Sequence, residues 1–288
     1  MYDSHDLSTP VPLDSKTDLE VDAIVNTKKE QPQTNRTVKI ERLKNLKNHL
    51  AMADSELVLF DLPSQEPSRL ALNYKGLNYR TEWVEYPDIA PKFQALGIPP
   101  NTKEINPNFE YSIPAMRFSG GECIMDSLAI ASALEKLQPE PSFHLDNGYV
   151  DRAQAAAGKT LGPLRFIAMP RVPPKVLREK SQPYFESTRE KAFGMPLSQL
   201  ANTEGAKTAW TNVEPGVQDL KALLAEHSEG PYLMGKTVSY ADFILAGLWR
   251  FLELLDEDGD LFGRLMQQDE AFSKHYEACK KWMERDSH

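Results

Sequence analysis

A proline that follows isoleucine inside a β-like run, "FEYSIPAMRF" from Phe109 to Phe118, constrains this chain more than any other feature. Proline cannot donate to a sheet ladder, so in a sheet it stands at an edge, a bulge or a strand start. An X–Pro bond also adopts cis at low cost, and a cis bond in a fold serves a defined geometry. After it come a Gly120–Gly121 turn, a second short run to Met125, and then Asp126–Ser127 opening an apolar helix that runs to about Leu137. The first turn of a helix leaves backbone N–H groups unpaired. The stretch therefore predicts a β-hairpin that carries a cis Ile113–Pro114 bond to a helix N-terminus, an arrangement suited to holding a ligand.

The segments upstream build the rest of one domain. "LVLFDLP", Leu57–Pro63, is a continuous apolar run ended by proline and reads as a buried strand. "EPSRLALNYKG", Glu66–Gly76, places Leu70, Ala71 and Tyr74 on one helical face before a glycine stop. "NYRTEWVEYP" alternates Tyr79, Thr81 and Trp83 as a second strand, "DIAPKFQALG" gives a short helix, and a Pro- and Asn-rich loop follows from Ile98 to Asn108. The order βαβαββα predicts a compact α/β domain over 51–140 with a mixed sheet. Past "QPEPSFHLDNG" the strand signals stop, and 141–288 reads as an all-α domain.

Residues 1–50 differ. The first twenty-odd are polar and acidic and predict disorder, and Ile40, Leu43, Leu46 and Leu50 then recur at helical spacing as a short amphipathic helix. The chain has 33 Lys and Arg against 42 Asp and Glu, a net charge of −9 that argues against a nucleic-acid surface. No apolar run reaches the ~20 residues needed to span a bilayer, and the N-terminus lacks the basic and apolar regions of a secretory signal. Two cysteines, Cys123 and Cys279, make no disulfide framework and no metal-ligand spacing, so a reducing, cytoplasmic setting is the expectation. The six histidines show no paired spacing on a helix and read as core or surface residues. The basic run Arg171–Lys180 reads as a solvated loop and helix start, Phe166, Trp210 and Trp249 as core, and Cys123 as a packed thiol.

Taken together, the βαβαββα order, the Ile-Pro before a hairpin, the acidic-Ser pair and the helical second half resemble the cytosolic glutathione transferases. The phrases "LALNYKGLNYRTEWVEYPDI" and "DSLAIASALE" are most similar to the fungal FuA class, related to bacterial lignin β-etherases. The resemblance covers residue 56 onward. It implies a thioredoxin-like N-terminal domain, an all-helical C-terminal domain, glutathione as the bound thiol and a homodimer. It assigns Ile113, with Pro114 supplying the geometry, to grip the cysteinyl part of glutathione through backbone N–H and C=O, as a strand edge holds a peptide. It assigns Asp126 and Ser127 to the γ-glutamyl end, the Asp opposite the ammonium and the Ser with the helix amides opposite the carboxylate. A plain N-cap is the other reading of that pair. "SYADFILAG" resembles the family's N-capping box, with Ser239 and Asp242 starting a buried helix.

A transferase of this kind needs a thiolate. A free thiol has a pKa near 8.5, and lowering it by two units takes about 2.7 kcal/mol. Related enzymes supply a Tyr, Ser or Cys after the first strand. Here that region, "FDLPSQEPSRLAL", offers only Ser64, directly after the strand, and Ser68 as the alternative; backbone amides alone are the remaining case. The implied activity is transfer of glutathione to an apolar electrophile or cleavage of an aryl ether, in detoxification or secondary metabolism. A glutathione-dependent isomerase or dehalogenase of a fungal secondary pathway and a non-catalytic glutathione and hydrophobic-ligand binder are the alternatives.

Overall fold

The computed structural model describes residues 56–62, 67–106 and 109–284. The predicted N-terminal extension and Ser64 lie outside them.

Strand β1 (Leu57–Asp61) is buried along its whole length, as its unbroken apolar run requires. It pairs in parallel with β2 (Tyr79–Trp83) and antiparallel with β3 (Ala115–Arg117), which pairs antiparallel with β4 (Cys123–Met125). The sheet order is β2-β1-β3-β4, mixed as expected. Between strands run α1 (Pro67–Tyr74) and α2 (Ile89–Ala95), and α3 (Ser127–Leu137) closes the half. Successive residues of a strand face opposite sides. Leu57 and Leu59 of β1 accordingly pack under α1 and α3, whereas Val58 and Phe60 pack against Phe93 of α2. Gly76 ends the first helical segment at φ +66, a left-handed conformation that suits glycine. The Ile113–Pro114 bond is cis, and so is Glu140–Pro141.

The remainder is helical: α4 (Tyr149–Ala168), α5 (Val172–Val176), α6 (Gln182–Phe193), three single-turn helices α7 (Leu197–Leu200), α8 (Glu204–Lys207) and α9 (Ala209–Asn212), then α10 (Glu214–Ala225), α11 (Tyr240–Leu255), α12 (Phe262–Met266) and α13 (Glu270–Cys279). Helix α11 is the core element: Trp249, Leu252 and Leu245 are fully buried, and it packs against α4, α13 and α1. The two halves share this packing. Phe143, Tyr240 and Phe243 join Leu70, Leu72 and Ile130 in one apolar cluster, and Tyr74 of α1 lies edge-on to Phe243 at 5.4 Å.

The capping box forms as expected. The Ser239 N–H and hydroxyl donate to Asp242 Oδ2 at 2.7 and 2.8 Å. Asp242 does more than start its helix, however. Its Oδ1 accepts from the Leu233 N–H at 2.8 Å and meets His275 Nε2 at 3.1 Å, all in the interior. The basic run Arg171–Lys180 contains a helix, Val172–Val176, and keeps Lys175, Arg178 and Lys180 exposed, as expected, but Arg171 does not stay solvated. Arg171 is anchored to the Leu255 carbonyl at 3.1 Å and Asp260 Oδ1 at 2.7 Å, and Arg178 and Lys180 face Glu85 and Asp88 of the α/β half.

Candidate functional site

The hairpin register assembles the site. Ala115 stands opposite Met125, so the next residues outward, Pro114 and Asp126, are neighbours. The Asp126 N–H donates to the Pro114 carbonyl at 3.2 Å. A tight turn makes this register possible: Phe118 N–H donates to the Glu122 carbonyl at 2.8 Å and Gly121 takes φ +83. Sequence neighbours of Pro114 and of Asp126 are thereby brought to one end of the sheet, at the head of α3.

At that end several polar groups have no partner among the described residues. The N–H and C=O of Ile113 are unpaired, although β1 and β4 bracket the strand that follows. Unpaired backbone groups of this kind are uncommon away from water and ask for a partner. Asp126 takes φ +81, a conformation that non-glycine residues adopt sparingly and mostly where function or capping fixes it. Its Oδ1 accepts from the N–H groups of Leu128 and Ala129 at 3.0 and 2.9 Å. The N-cap reading therefore holds for one carboxylate oxygen, and Oδ2 is left over. The Ser127 N–H and hydroxyl are likewise uncommitted, whereas its carbonyl accepts from the Tyr240 hydroxyl at 2.9 Å. That bond pins the head of α3 to the first residue of α11.

Beside Asp126 opens a cavity of about 280 Å³, walled by Ile98, Pro99, Asn101 and Ile105 of the Pro- and Asn-rich loop and by Met125 and Ala129. Its lining is apolar apart from Asn101 and Asp126. Cys123 also borders it; burial pushes that thiol's pKa up, which keeps it protonated.

At the same end of the sheet, where β1 stops beside Pro114, the chain leaves through a buried ionic cluster. Asp61 accepts from Arg69 Nε at 2.9 Å and from the Leu62 N–H at 2.8 Å. The guanidinium stacks 5.0 Å above Trp83. Arg69 and Asp61 are 4% and 0% exposed. This cluster fixes Leu62 just before Ser64. Ser68, on the first turn of α1, is 1% exposed and its Oγ has no hydrogen-bond partner among the described residues. The sequence signal for the cluster was the lone Asp that ends an otherwise apolar strand, with Arg one turn into the next helix; the cavity wall and the Tyr240 anchor had no local signal.

No group of three metal-ligating side chains occurs among the described residues, and no described helix is long and apolar enough to cross a membrane.

Comparison with known proteins decides the family. Residues 66–137 match the glutathione S-transferase N-terminal domain and residues 153–282 the C-terminal domain. The chain is 31% identical over 233 residues, 75% of its length, to the glutathione S-transferase-like protein ustS of Aspergillus flavus, 82% of which is covered. This chain belongs to the glutathione S-transferase family. Among solved structures, transferase GSTFuA3 of Phanerochaete chrysosporium is 29% identical with a TM-score of 0.70, over 81% of this chain and 99% of that one. The transferase CsGST63524 of Ceriporiopsis subvermispora, solved with glutathione, is 25% identical with a TM-score of 0.71, over 81% of this chain and all of that one. The similarity to FuA transferases read from the sequence is thus met in three dimensions, and the uncommitted groups of this family member sit at the end of its thioredoxin-like sheet.

Proposed function

We propose that this transferase holds glutathione between Ile113, Asp126 and Ser127 and transfers it to an apolar electrophile. The observation that carries the reading is the unpaired Ile113 peptide set beside the head of α3, where Asp126 Oδ2 and the Ser127 N–H and hydroxyl are all uncommitted. An extended tripeptide supplies what these groups lack. Its cysteinyl amide pairs with Ile113, its ammonium meets the Asp126 carboxylate, and its γ-glutamyl carboxylate meets the positive end of α3. Glutathione is here a co-substrate. The thiol gives up its proton to solvent, the sulfur forms a bond to the electrophilic carbon, and the bond to a leaving group such as halide or aryl oxide breaks, the leaving group carrying the electron pair away. Ser64 is the proposed donor to the sulfur, because Ser68 is sealed in the interior. Binding between two copies of this chain is part of the same proposal, with light scattering as its check.

Asp126→Asn separates ligand from cap. Asn caps helices as well as Asp and tolerates a positive φ, so thermal stability should hold. Loss of the charge facing the ammonium should weaken glutathione by about tenfold, one charge-assisted hydrogen bond's worth. Calorimetry that finds wild-type affinity in Asp126→Asn rejects the site. Ser64→Ala should lower kcat by ~10–100-fold at unchanged glutathione affinity, whereas Ser68→Ala should not.

A further inference from the structure

A strip of aromatic rings crosses the junction of the two halves and carries two arginines that form no ion pair among the described residues, Arg165 on α4 and Arg189 on α6. Phe185, Arg189 and Phe193 recur every fourth residue of α6 and therefore share one face of it. The Arg189 guanidinium carbon lies 4.3 Å from the Phe185 ring centroid, 5.5 Å from that of Phe109 and 5.8 Å from that of Tyr86. Arg165 lies 5.7 Å from the Phe193 ring, which is 6.1 Å from that of Phe166. Phe109 and Tyr86 belong to the α/β half, and Phe109 is only four residues upstream of Ile113, at most about 14 Å of extended chain. The strip thus borders the proposed glutathione site.

Rings stacked on the flat faces of a guanidinium leave its in-plane N–H donors directed outward, in a fork that matches a carboxylate. Arg189 spends one donor on Thr188 Oγ1 at 3.0 Å. The adjacent acids on its own helix, Glu186 and Glu190, do not pair with it. Elsewhere in the molecule half-buried arginines such as Arg171 and Arg250 do meet carboxylates. A half-buried cation without a counter-charge is costly to maintain; Arg189 is one, and Arg165 stands exposed at the other end of the same strip.

From this we infer that the strip binds an anionic aromatic molecule, its ring against Phe109 and Phe193 and its carboxylate or equivalent acid group forked by Arg189, with Arg165 as the second cation. The inference rests on the glutathione-transfer reading and names the class of its second substrate: acids on an apolar ring, rather than neutral hydrocarbons. The glycyl end of glutathione is also a carboxylate, and the test separates the two sources.

Two fluorescent probes with the same rings make the test, 8-anilinonaphthalene-1-sulfonate, which is anionic, and N-phenyl-1-naphthylamine, which is neutral, each titrated into the full chain beside calorimetry of glutathione. Arg189→Gln should weaken the anionic probe about tenfold and leave the neutral probe and glutathione within about twofold, Arg165→Gln should do the same to a smaller extent, and Arg189→Lys should recover part of the loss. On the wild-type chain, raising salt should weaken the anionic probe alone, a reading that does not depend on how the variants fold. Equal losses for both probes would mean the strip is only apolar packing, and a loss confined to glutathione would assign Arg189 to the glycyl carboxylate; either overturns the inference. A wild-type chain that discriminates the probes through Arg189 yet binds no glutathione supports the strip and rejects the transferase reading alone.

Discussion

Asp242 shows how one side chain can organise an interior. Its two oxygens take hydrogen bonds from Leu233, Ser239 and His275, and Trp249 Nε1 reaches His275 Nδ1 at 3.1 Å. Burial favours the neutral imidazole, whereas Cys279 and Asp242 draw a proton toward it. The indole decides the matter: it can only donate, so Nδ1 must offer its lone pair and the proton rests on Nε2. His275 is therefore a neutral link between Trp249 and Asp242, a core histidine with no part in acid–base chemistry. Asp242→Ala would strand four buried donors, and the loss should be about 3–5 kcal/mol. In a domain of this size that is a fall of roughly 10 °C in Tm, read by calorimetry, with the glutathione KM of the remaining folded protein unchanged. A fall of only a degree or two would show that the network is dispensable.

Among the elements, close approach and buried charge set the limits. Gly216 on α10 faces α4 so tightly that a Cβ would lie 2.6 Å from the Thr160 N and 2.7 Å from the Lys159 carbonyl carbon. Backbone cannot retreat as a side chain can, so Gly216→Ala should cost about 1–3 kcal/mol by overpacking, visible as a lower urea midpoint at constant m-value. A second control lies where α1, α3 and the linker meet. Lys75, with no exposed side-chain surface, reaches Glu135 Oε2 and the Gln138 carbonyl at 2.5 Å and sits 4.1 Å from the Phe143 ring. Burial alone would push the Glu135 pKa up, but hydrogen bonds from Lys75, Ser142 and the Phe143 N–H outweigh it and hold the carboxyl below its ordinary value of 4.5. A folded pKa lowered in this way means the unfolded chain binds more protons. The stability it confers is present above the unfolded value and is lost as pH falls through the folded one. Glu135→Gln should lower Tm at pH 7 and flatten its decline below pH 4.5; an acid limb as steep as the wild type's would rule this account out.

For the molecule as a whole, residues Ala53–His288 form one compact unit that contains both halves and every proposed site residue. A chain beginning at Met52 should therefore fold with the wild-type Tm to within a few degrees and bind glutathione equally well, as thermal melting and calorimetry would check. Folded but non-binding protein would mean that the first 51 residues complete the site. Within the unit the halves do not behave as separate bodies: the Tyr240 hydroxyl holds the Ser127 carbonyl, and Lys75 ties α1 to the linker between the halves.

What the sequence determined by itself was local. The apolar run of β1, the alternation in β2, the Gly-Gly turn and the Asp-Ser helix start are short-range signals, in which hydrogen-bond geometry and burial period leave few choices. They sufficed for the element order, the mixed sheet, the Ile113–Pro114 and Asp126–Ser127 pairings and, through resemblance, the family. Tertiary structure decided which polar groups are left unpaired. Asp126 caps its helix with one oxygen and keeps the other without a partner among the described residues, at the end of the sheet where the hairpin register sets it beside Pro114. Ser68 is sealed because α1 lies against the sheet. Asp242 is a hub because α13 delivers His275 beside it. Phe109 and Tyr86 meet Arg189 only because α6 folds back across the α/β half. Each of these joins residues far apart in the chain, and such a contact is set by how whole elements pack, which no local pattern of residues encodes.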